Sequence, residues 1–292
     1  MRVFVTGATG FIGTAVVQDV IAAGHQFLGL ARSEASAHAL VRAGAGVHHG
    51  ALDNLESLAA GARACDGVIH LAFIHDFSQY AANAETDRLA TAAMAEAMVG
   101  TDKPLVVTSG TAVLTPGRVG METDAPTAQI RAASELVLAA ADRGVRVAVV
   151  RLAPSVHGAG DRAFVPALID IARRTDVSAY VGSGENRWAA VHRLDAATLF
   201  RLALEKAKPG MRLHGKAEQG IPVRAIAETI GAGLGLPVRS MTADEAATHF
   251  GWLAGFLAMD APASSALTQQ WLGWAPHHPD LLTDMVQNGY FD

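Results

Sequence analysis

The 292-residue sequence contains one cysteine, and charged residues make up only 17% of it. Cys65 has no second cysteine to pair with, so the intramolecular disulfides typical of small secreted domains are excluded. Asp66 follows Cys65 and disfavours a reactive thiolate, so we interpret Cys65 as a small core residue. The cysteine content fits a reducing compartment, and we expect a cytoplasmic protein.

An excess of basic residues is also missing. Lysine and arginine number 23 against 28 acidic residues, the net charge is −5, and no basic run is interleaved with aromatic residues. We therefore expect no nucleic-acid partner.

Long apolar runs are absent as well. The stretches 145–150 and 251–259 fall well short of the ~20 residues that span a bilayer. The first apolar segment is interrupted at once by glycines, unlike a signal peptide. We expect no membrane attachment.

Short hydrophobic segments are abundant, and hydrophobic residues form 50% of the chain. Valine-rich runs typical of buried parallel strands alternate with alanine-rich helical patterns as far as residue 150. The predicted strands are Val3–Val5, Gln26–Leu30, Val47–His48, Val68–Leu71, Leu105–Thr108 and Val145–Val150. The predicted helices between them are Gly13–Ala23, Ala35–Ala43, Leu55–Ala62, Ala84–Met98 and Ala128–Arg143. This alternation predicts an α/β fold with a doubly wound parallel sheet.

The rhythm changes after Arg151, which suggests a division of the chain into two parts. We predict a dinucleotide-binding core over residues 1–155. Residues 156–292 are predicted to form mostly a small substrate-binding lobe, with some elements returning to the core. Helices are expected there at Phe164–Arg173, Arg193–Glu205 and Val223–Leu234, with a substrate loop over 182–188.

A glycine-rich segment, Thr6-Gly7-Ala8-Thr9-Gly10-Phe11-Ile12-Gly13, follows the first predicted strand and opens the first predicted helix. Glycine has no Cβ, so such a turn brings bare backbone close to a pyrophosphate, which the unpaired N–H groups of the helix N-terminus then bind. A ligand-free tight turn would use the same glycines, but here strand, turn and helix stand in the order that dinucleotide binding requires. The predicted cofactor contacts from this segment are Thr6, Gly7, Thr9, Gly10, Phe11 and Ile12.

The end of the second predicted strand carries Arg32 and Ser33 where a dinucleotide fold places the group that contacts the adenosine ribose. An acidic residue there would bind a free 2′-hydroxyl and repel a 2′-phosphate. A guanidinium and a hydroxyl can instead bind the phosphate, so we predict NADP(H) in preference to NAD(H). The alternative is that Arg32 is a solvent-exposed loop residue with no role in cofactor binding.

Further segments fit the same interpretation: His70-Leu71-Ala72, Arg151-Leu152-Ala153-Pro154-Ser155-Val156-His157-Gly158, Val191-His192-Arg193-Leu194-Asp195 and Leu272-Gly273-Trp274-Ala275-Pro276. With the glycine turn and Arg32, they resemble motifs of the extended short-chain dehydrogenase/reductases, which include NAD-dependent epimerases and dehydratases, over nearly the whole length. The resemblance implies a Rossmann sheet of about seven strands with the cofactor lying across the strand ends. It also implies cofactor contacts from Leu52, Leu71, Ala72 and Pro154.

The catalytic positions depart from the family pattern. Members usually carry Tyr-x-x-x-Lys on the helix after the fifth strand, where the tyrosine transfers a proton and the lysine holds the nicotinamide ribose. Aligned on Ser134-Glu135, this sequence has Thr127 and Arg131 at those positions. Arg131 retains donors for the ribose hydroxyls, whereas an aliphatic hydroxyl at Thr127 is far less acidic than a phenol.

The family's serine is also displaced. Counting back from Val113 places Gly110 on the serine position, so Ser109 and Thr111 are the alternative candidates to anchor a substrate oxygen. Either hydroxyl can instead bond its own backbone.

Other residues can replace the missing acid or bind substrate. Tyr80 is one of three tyrosines and follows the fourth predicted strand, in a loop that borders the nicotinamide in relatives, so it is our candidate proton donor. His75, Asp76 and His157 are further candidates for the acid. His75 and His157 are also candidate substrate contacts, although a lone histidine is more often structural. Arg187 and Trp188 lie in the predicted substrate loop, where Arg187 is available for a carboxylate or phosphate.

Two other kinds of site are not expected. The pairs 48–49 and 277–278 are adjacent histidines whose side chains should diverge, and no carboxylate stands at ligand spacing, so no metal site is predicted. No Gly-x-Ser-x-Gly segment marks a serine hydrolase.

The sequence therefore favours an NADPH-dependent oxidoreductase acting on a small organic carbonyl, imine or activated alkene. The alternatives are a nonreducing sugar-type epimerase or isomerase and a redox-inert NADP(H)-sensing binding protein. The expected partners are NADP(H) and a small-molecule substrate, and a homodimer is compatible with the sequence.

Overall fold

A computed structural model of the protein describes residues 1–76, 79–111, 114–127 and 133–292. Within them, seven strands form one parallel sheet in the order β10-β6-β5-β4-β1-β2-β3. These strands are β1 Arg2–Thr6, β2 Gln26–Ala31, β3 Gly46–His49, β4 Gly67–His70, β5 Pro104–Gly110, β6 Arg146–Leu152 and β10 Met211–Gly215. The sheet order reverses at β1, which pairs with β2 on one side and β4 on the other. The predicted doubly wound Rossmann fold is confirmed.

Helices cover both faces of this sheet, as the apolar clusters show. The helices of the first half are α1 Phe11–Ala22, α2 Glu34–Arg42, α3 Leu55–Arg63, α4 Tyr80–Glu96 and the 3-10 helix α5 Ala133–Arg143. Buried residues of α1, α2 and the later helix α7 Arg193–Lys206 form the core on one face. Buried residues of α3, α4 and α5 form the core on the other.

The second half adds two small sheets and further helices. β7 Ser155–His157, β9 Arg187–His192 and β11 Glu218–Pro222 form one sheet, and β8 Ser178–Val181 pairs with β12 Val238–Met241. The remaining helices are α6 Phe164–Thr175, α8 Val223–Leu234, α9 Ala243–Phe250, a 3-10 turn Gly251–Leu253, α10 Ala254–Leu257, α11 Ala266–Leu272 and α12 Leu281–Gln287. An apolar cluster separate from those on the large sheet packs α6, α8 and α12 together. In the described part of the chain, no helix is long and apolar enough to cross a membrane.

Two predicted boundaries are wrong. Helix α4 begins at Tyr80, four residues before the predicted start, so Tyr80 lies on a helix and not in a loop. Residues 187 and 188 belong to strand β9, so the predicted substrate loop 182–188 ends at Asn186. Hydrogen bonds from β9 to β11 and β7 outweigh the turn-forming residues that precede it.

Candidate active site

The glycine turn lies between β1 and α1, at the point where the order of the sheet reverses. Gly7 has φ +71°, and a Cβ on it would lie 2.7 Å from the backbone nitrogen of Ala72, at the end of β4. A Cβ on Gly13 would lie 1.9 Å from the Gly7 carbonyl oxygen. These two glycines therefore permit close packing of turn, helix and neighbouring strand.

Gly10 differs from the other two. It is the N-cap of α1, and no side chain caps that helix. A Cβ on Gly10 would meet only the Gly7 carbonyl oxygen, at 3.2 Å, so the rest of the space around that position is open. The first N–H groups of α1 have no partner within the helix and face this space. The arrangement fits a bound diphosphate, which would lie against bare backbone at a helix N-terminus. Thr9 is exposed on the same turn, with Phe11 and Ile12 half-buried behind it.

A buried polar chain fixes the turn to β4. The Thr6 hydroxyl lies 2.7 Å from Nδ1 of His70, and Nε2 of His70 lies 3.0 Å from the Asp87 carboxylate on α4. The N–H of Ala72 donates to the Thr6 hydroxyl at 3.3 Å, and that of Leu71 donates to the Thr6 carbonyl. Leu71 and Ala72 are half-buried beside the turn. Thr6 therefore positions the turn from beneath.

The predicted ribose-binding residues line a surface pocket of about 320 Å³ at the ends of β2 and β3. Arg32 is exposed there and makes no hydrogen bond or ion pair with any described residue. Ser33 caps α2, because its hydroxyl accepts the N–H of Ser36 at 3.3 Å. Glu34 and Asp53 line the same pocket, so acidic and basic groups both lie near the site expected for the ribose. The half-buried Leu52 packs on the adjoining apolar cluster.

The end of β5 presents the two candidate hydroxyls. Ser109 and Thr111 are both buried. Thr111 donates to the Leu152 carbonyl at 3.4 Å, whereas the Ser109 hydroxyl has no hydrogen-bond partner among the described residues. An unpartnered buried hydroxyl is costly unless a ligand or water satisfies it. Pro154, two residues beyond β6, is half-buried.

Of the two predicted replacements for the family's tyrosine and lysine, the structure describes only the first. Thr127 is exposed and precedes α5, whereas Arg131 lies outside the described residues. The start of α5 is fixed by Glu135, which forms a bidentate ion pair with the fully buried Arg151, at 2.7 Å for both contacts, and accepts a bond from Arg212 at 2.9 Å. Burial acts to raise the pKa of the Glu135 carboxyl, but the two guanidinium groups outweigh it and hold this pKa below its usual range.

The ring of Phe73 contacts both the candidate acid Tyr80 and His75. The ring of Phe73 lies edge-on to Tyr80 at 6.0 Å and to His75 at 5.3 Å. Tyr80 is half-buried and His75 is exposed. The structure therefore brings these two predicted site residues to the same segment after β4.

The other predicted substrate contacts lie elsewhere. His157 is fully buried, with Nδ1 2.8 Å from the Asp284 carboxylate and its ring edge-on to His192. Trp188 is 2% exposed and donates through Nε1 to the Phe256 carbonyl. Both side chains are buried, and packing and the Phe256 carbonyl account for Trp188. Nε2 of His157, like the Ser109 hydroxyl, has no hydrogen-bond partner among the described residues.

Arg187 is partly exposed but already paired. Its guanidinium forms two hydrogen bonds to the Asp260 carboxylate, at 3.0 and 2.9 Å. A substrate anion would have to share this arginine with Asp260.

The expectation that His277 and His278 diverge is wrong. Their ring centroids lie 4.4 Å apart, and the buried Asp195 carboxylate reaches Nδ1 of His278 at 2.8 Å and Nδ1 of His277 at 3.7 Å. The same carboxylate accepts the backbone N–H groups of both histidines, each at 3.1 Å. Asp195 lies far away in sequence, so no local spacing could reveal this cluster. The hydrogen bonds of its carboxylate hold the 277–278 segment in place.

Sequence reasoning also missed the polar groups that support the site. Thr6 and His70 lie in segments that the sequence analysis singled out, but nothing in the sequence pairs them with each other or with Asp87. Arg193 stands with its guanidinium 5.1 Å from the Phe11 ring centroid. Only the fold brings these two residues together.

A parallel sheet with a glycine turn at its switch point defines a dinucleotide-binding α/β protein. Residues 3–213 match the NAD dependent epimerase/dehydratase family, and the chain belongs to this family. An uncharacterized protein of Schizosaccharomyces pombe is 50% identical over 295 residues, which cover 100% of each chain. The 2-alkyl-3-oxoalkanoate reductase of Stenotrophomonas maltophilia is 30% identical over 258 residues, 81% of this chain and 77% of the relative.

Solved structures show the same fold. The dTDP-glucose 4,6-dehydratase of Streptomyces venezuelae, determined with NAD bound, has a TM-score of 0.79 and 19% identity, covering 100% of this chain and 96% of that chain. At this identity the likeness concerns the fold alone. The family membership expected from the motifs is confirmed, and with it an enzyme class that uses a nicotinamide cofactor.

Proposed function

We propose that the protein is an NADPH-dependent oxidoreductase that reduces a small organic carbonyl, imine or activated alkene. The observation that carries the proposal is an open glycine turn at the sheet's switch point, together with an unpaired guanidinium at the end of β2. The turn offers backbone N–H groups to a diphosphate, and Arg32 offers a charged donor to a 2′-phosphate.

Each part of the cofactor has proposed partners in this chain. The diphosphate is assigned to Gly7, Thr9, Gly10, Phe11 and Ile12, and the buried Thr6 is assigned to holding the turn in place beneath them. The adenosine end is assigned to Arg32, Ser33 and Leu52. Leu71, Ala72 and Pro154 are assigned to the nicotinamide half, and Arg131 to its ribose. When bound, the cofactor supplies the hydride, and the protein's task is to orient substrate and cofactor.

Ser109 is the proposed anchor for the substrate oxygen, in preference to Thr111. The Thr111 hydroxyl donates to a carbonyl of its own chain, whereas that of Ser109 has no described partner. Tyr80 is the proposed proton donor, because a phenol is a far stronger acid than the hydroxyl of Thr127. His75 lies on the same segment and is proposed to contact the substrate.

Two observations bear on which acceptor receives the hydride, and they favour different acceptors. The Stenotrophomonas relative is named as the reductase of a 3-oxo acid, which favours a ketone. The absence of a tyrosine at position 127 favours a protonated imine, because it is already electron-poor and needs less help from an acid. A nonreducing epimerase or isomerase is the second candidate function, because the family is named for NAD-dependent epimerases and dehydratases.

A reduction assay tests the proposal. Purified protein would be incubated with NADPH and, in turn, a 2-alkyl-3-oxo acid, simple ketones, cyclic imines and enones, while the absorbance of the reduced nicotinamide is followed. Consumption of NADPH that depends on one of these acceptors is expected. Tight NADPH binding without consumption across the panel would favour the redox-inert binding protein.

A further inference from the structure

Helices α1 and α7 lie side by side and run in the same direction. In the last turn of α1, the Asp19 carboxylate accepts bonds from Thr198 at 3.1 Å and Arg201 at 2.6 Å, both on α7. At their first residues, the Arg193 guanidinium stands 5.1 Å from the Phe11 ring centroid. The N-terminus of α7 is therefore held next to the N-terminus of α1, which adjoins the glycine turn.

Among the described residues, no acidic side chain pairs with Arg193. Its guanidinium makes no hydrogen bond or ion pair with any described residue. The nearest acid in sequence, Asp195, is 1% exposed and turned toward the backbone of residues 277 and 278. Gly158 leaves room for the arginine stem, because a Cβ there would lie 3.1 Å from Cγ of Arg193. A half-buried cation stacked on Phe11 thus has no counter-charge in the part of the chain that the structure describes.

We infer that Arg193 is a diphosphate-binding residue, which neutralises the bridging phosphates of the dinucleotide from the α7 side of the glycine turn. The inference rests on the proposed nucleotide site. Phe11 is the first residue of α1, so its backbone N–H is one of the proposed donors to the diphosphate. Its ring holds the Arg193 guanidinium close to that N–H through a cation–π contact. The turn itself provides only neutral N–H donors, and Arg193 adds a full positive charge.

This assignment gives Arg32 and Arg193 separate roles. Arg32 lies at the ribose pocket and discriminates NADP from NAD, whereas Arg193 lies at the turn and contacts a group that both nucleotides contain. Adenosine 2′-monophosphate contains the group proposed for Arg32 and lacks the diphosphate. Three nucleotides therefore separate the two roles.

Titration calorimetry of NADP⁺, NAD⁺ and adenosine 2′-monophosphate would test the inference. Arg193→Gln is expected to weaken NADP⁺ and NAD⁺ by the same factor, roughly ten- to a hundredfold, since it removes a charge-assisted contact. Binding of adenosine 2′-monophosphate should not change. Arg193→Lys keeps the charge without the planar fork and should bind both dinucleotides more tightly than Arg193→Gln.

Arg42→Gln is the matched control, because it removes the same charge from an exposed residue in the last turn of α2, away from the glycine turn. Circular dichroism would verify that each variant is folded. Unchanged dinucleotide affinity in folded Arg193→Gln would overturn the inference, as would a loss confined to NADP⁺. Wild-type protein that binds neither dinucleotide would instead overturn the proposed function, and the inference with it.

Discussion

At the scale of single residues, the candidate site is distinguished by polar groups that have no hydrogen-bond partner among the described residues. The Arg32 guanidinium and the buried Ser109 hydroxyl have no described partner, whereas Arg187 and Thr111 are already bonded to other groups. Unsatisfied donors are the ones available to a ligand. This distinction separates residues of the same type that the sequence could not rank.

Arg32→Ala is expected to weaken NADP(H) roughly ten- to a hundredfold while leaving NAD(H) nearly unchanged, since only NADP(H) has the 2′-phosphate. Fluorescence titration of both reduced cofactors would measure this. The carboxylates of Glu34 and Asp53 line the same pocket, so the result also shows which charge dominates there. Tighter binding of NADH than NADPH by the wild type would refute the assignment.

Tyr80→Phe should lower the turnover of a ketone roughly a hundredfold or more, the usual contribution of a general acid. It should affect a preformed iminium much less, because that substrate is already protonated. Thr127→Ala, the matched hydroxyl deletion at the family's tyrosine position, should have little effect. A severe loss of turnover in Thr127→Ala, with normal turnover in Tyr80→Phe, would show that proton transfer occurs at the family's tyrosine position and not at Tyr80.

At the scale of elements, the site is made by the turn between β1 and α1 and by what holds that turn in place. Gly7 and Gly13 are needed for packing against neighbouring backbone, whereas Gly10 faces open space. The three glycines should therefore respond differently to substitution. Gly10 is the position at which binding can be removed without loss of the fold.

Gly10→Val is expected to abolish measurable NADPH binding, because a branched side chain would occupy the space left for the diphosphate. The helical circular dichroism signal should be retained. Gly13→Val is the contrasting variant, since its side chain would strike the Gly7 carbonyl and should destabilise the protein. Undiminished binding by Gly10→Val would show that the turn is only structural.

Elements with a strong local pattern were predictable, and those stabilised by distant partners were not. The strands before residue 151 are apolar runs, and each has a counterpart in the structure. Strand β10 was missed because Met211–Gly215 contains Arg212 and His214, whose partners Glu135 and Ser264 lie far away in sequence. Among the site residues, the glycine turn was predictable because its residues form one local motif. The contact between Phe11 and Arg193 was not, because these residues are far apart in sequence and only the fold brings them together.

At the scale of the whole molecule, buried histidines link stability to pH. Burial and the charge of Lys216 lower the pKa of His214 to about 3, and burial and His157 lower that of His192 to about 4. In the unfolded chain a histidine titrates near pH ~6.5. Between that pH and these lowered values, the unfolded chain binds protons that the folded protein does not.

The free energy of unfolding should therefore fall as the pH is lowered from about 6.5 toward 5, by up to about 1.4 kcal/mol per pH unit for each such histidine. Urea unfolding at several pH values would measure the slope. His214→Gln, which keeps an N–H donor for the Ser264 carbonyl, should reduce the slope by about one proton. Equal slopes in wild type and variant would contradict the assignment of this pH dependence to His214.

Net transfer of a hydride from NADPH to a small acceptor is the step that defines the proposed function. The most direct measurement uses NADPH carrying deuterium at the nicotinamide carbon that gives up the hydride, with mass spectrometry of the organic product. We expect one deuterium in each product molecule and one NADP⁺ formed for each. A rearranged product without deuterium, or one formed with no net loss of NADPH, would contradict the proposed function and favour the nonreducing epimerase.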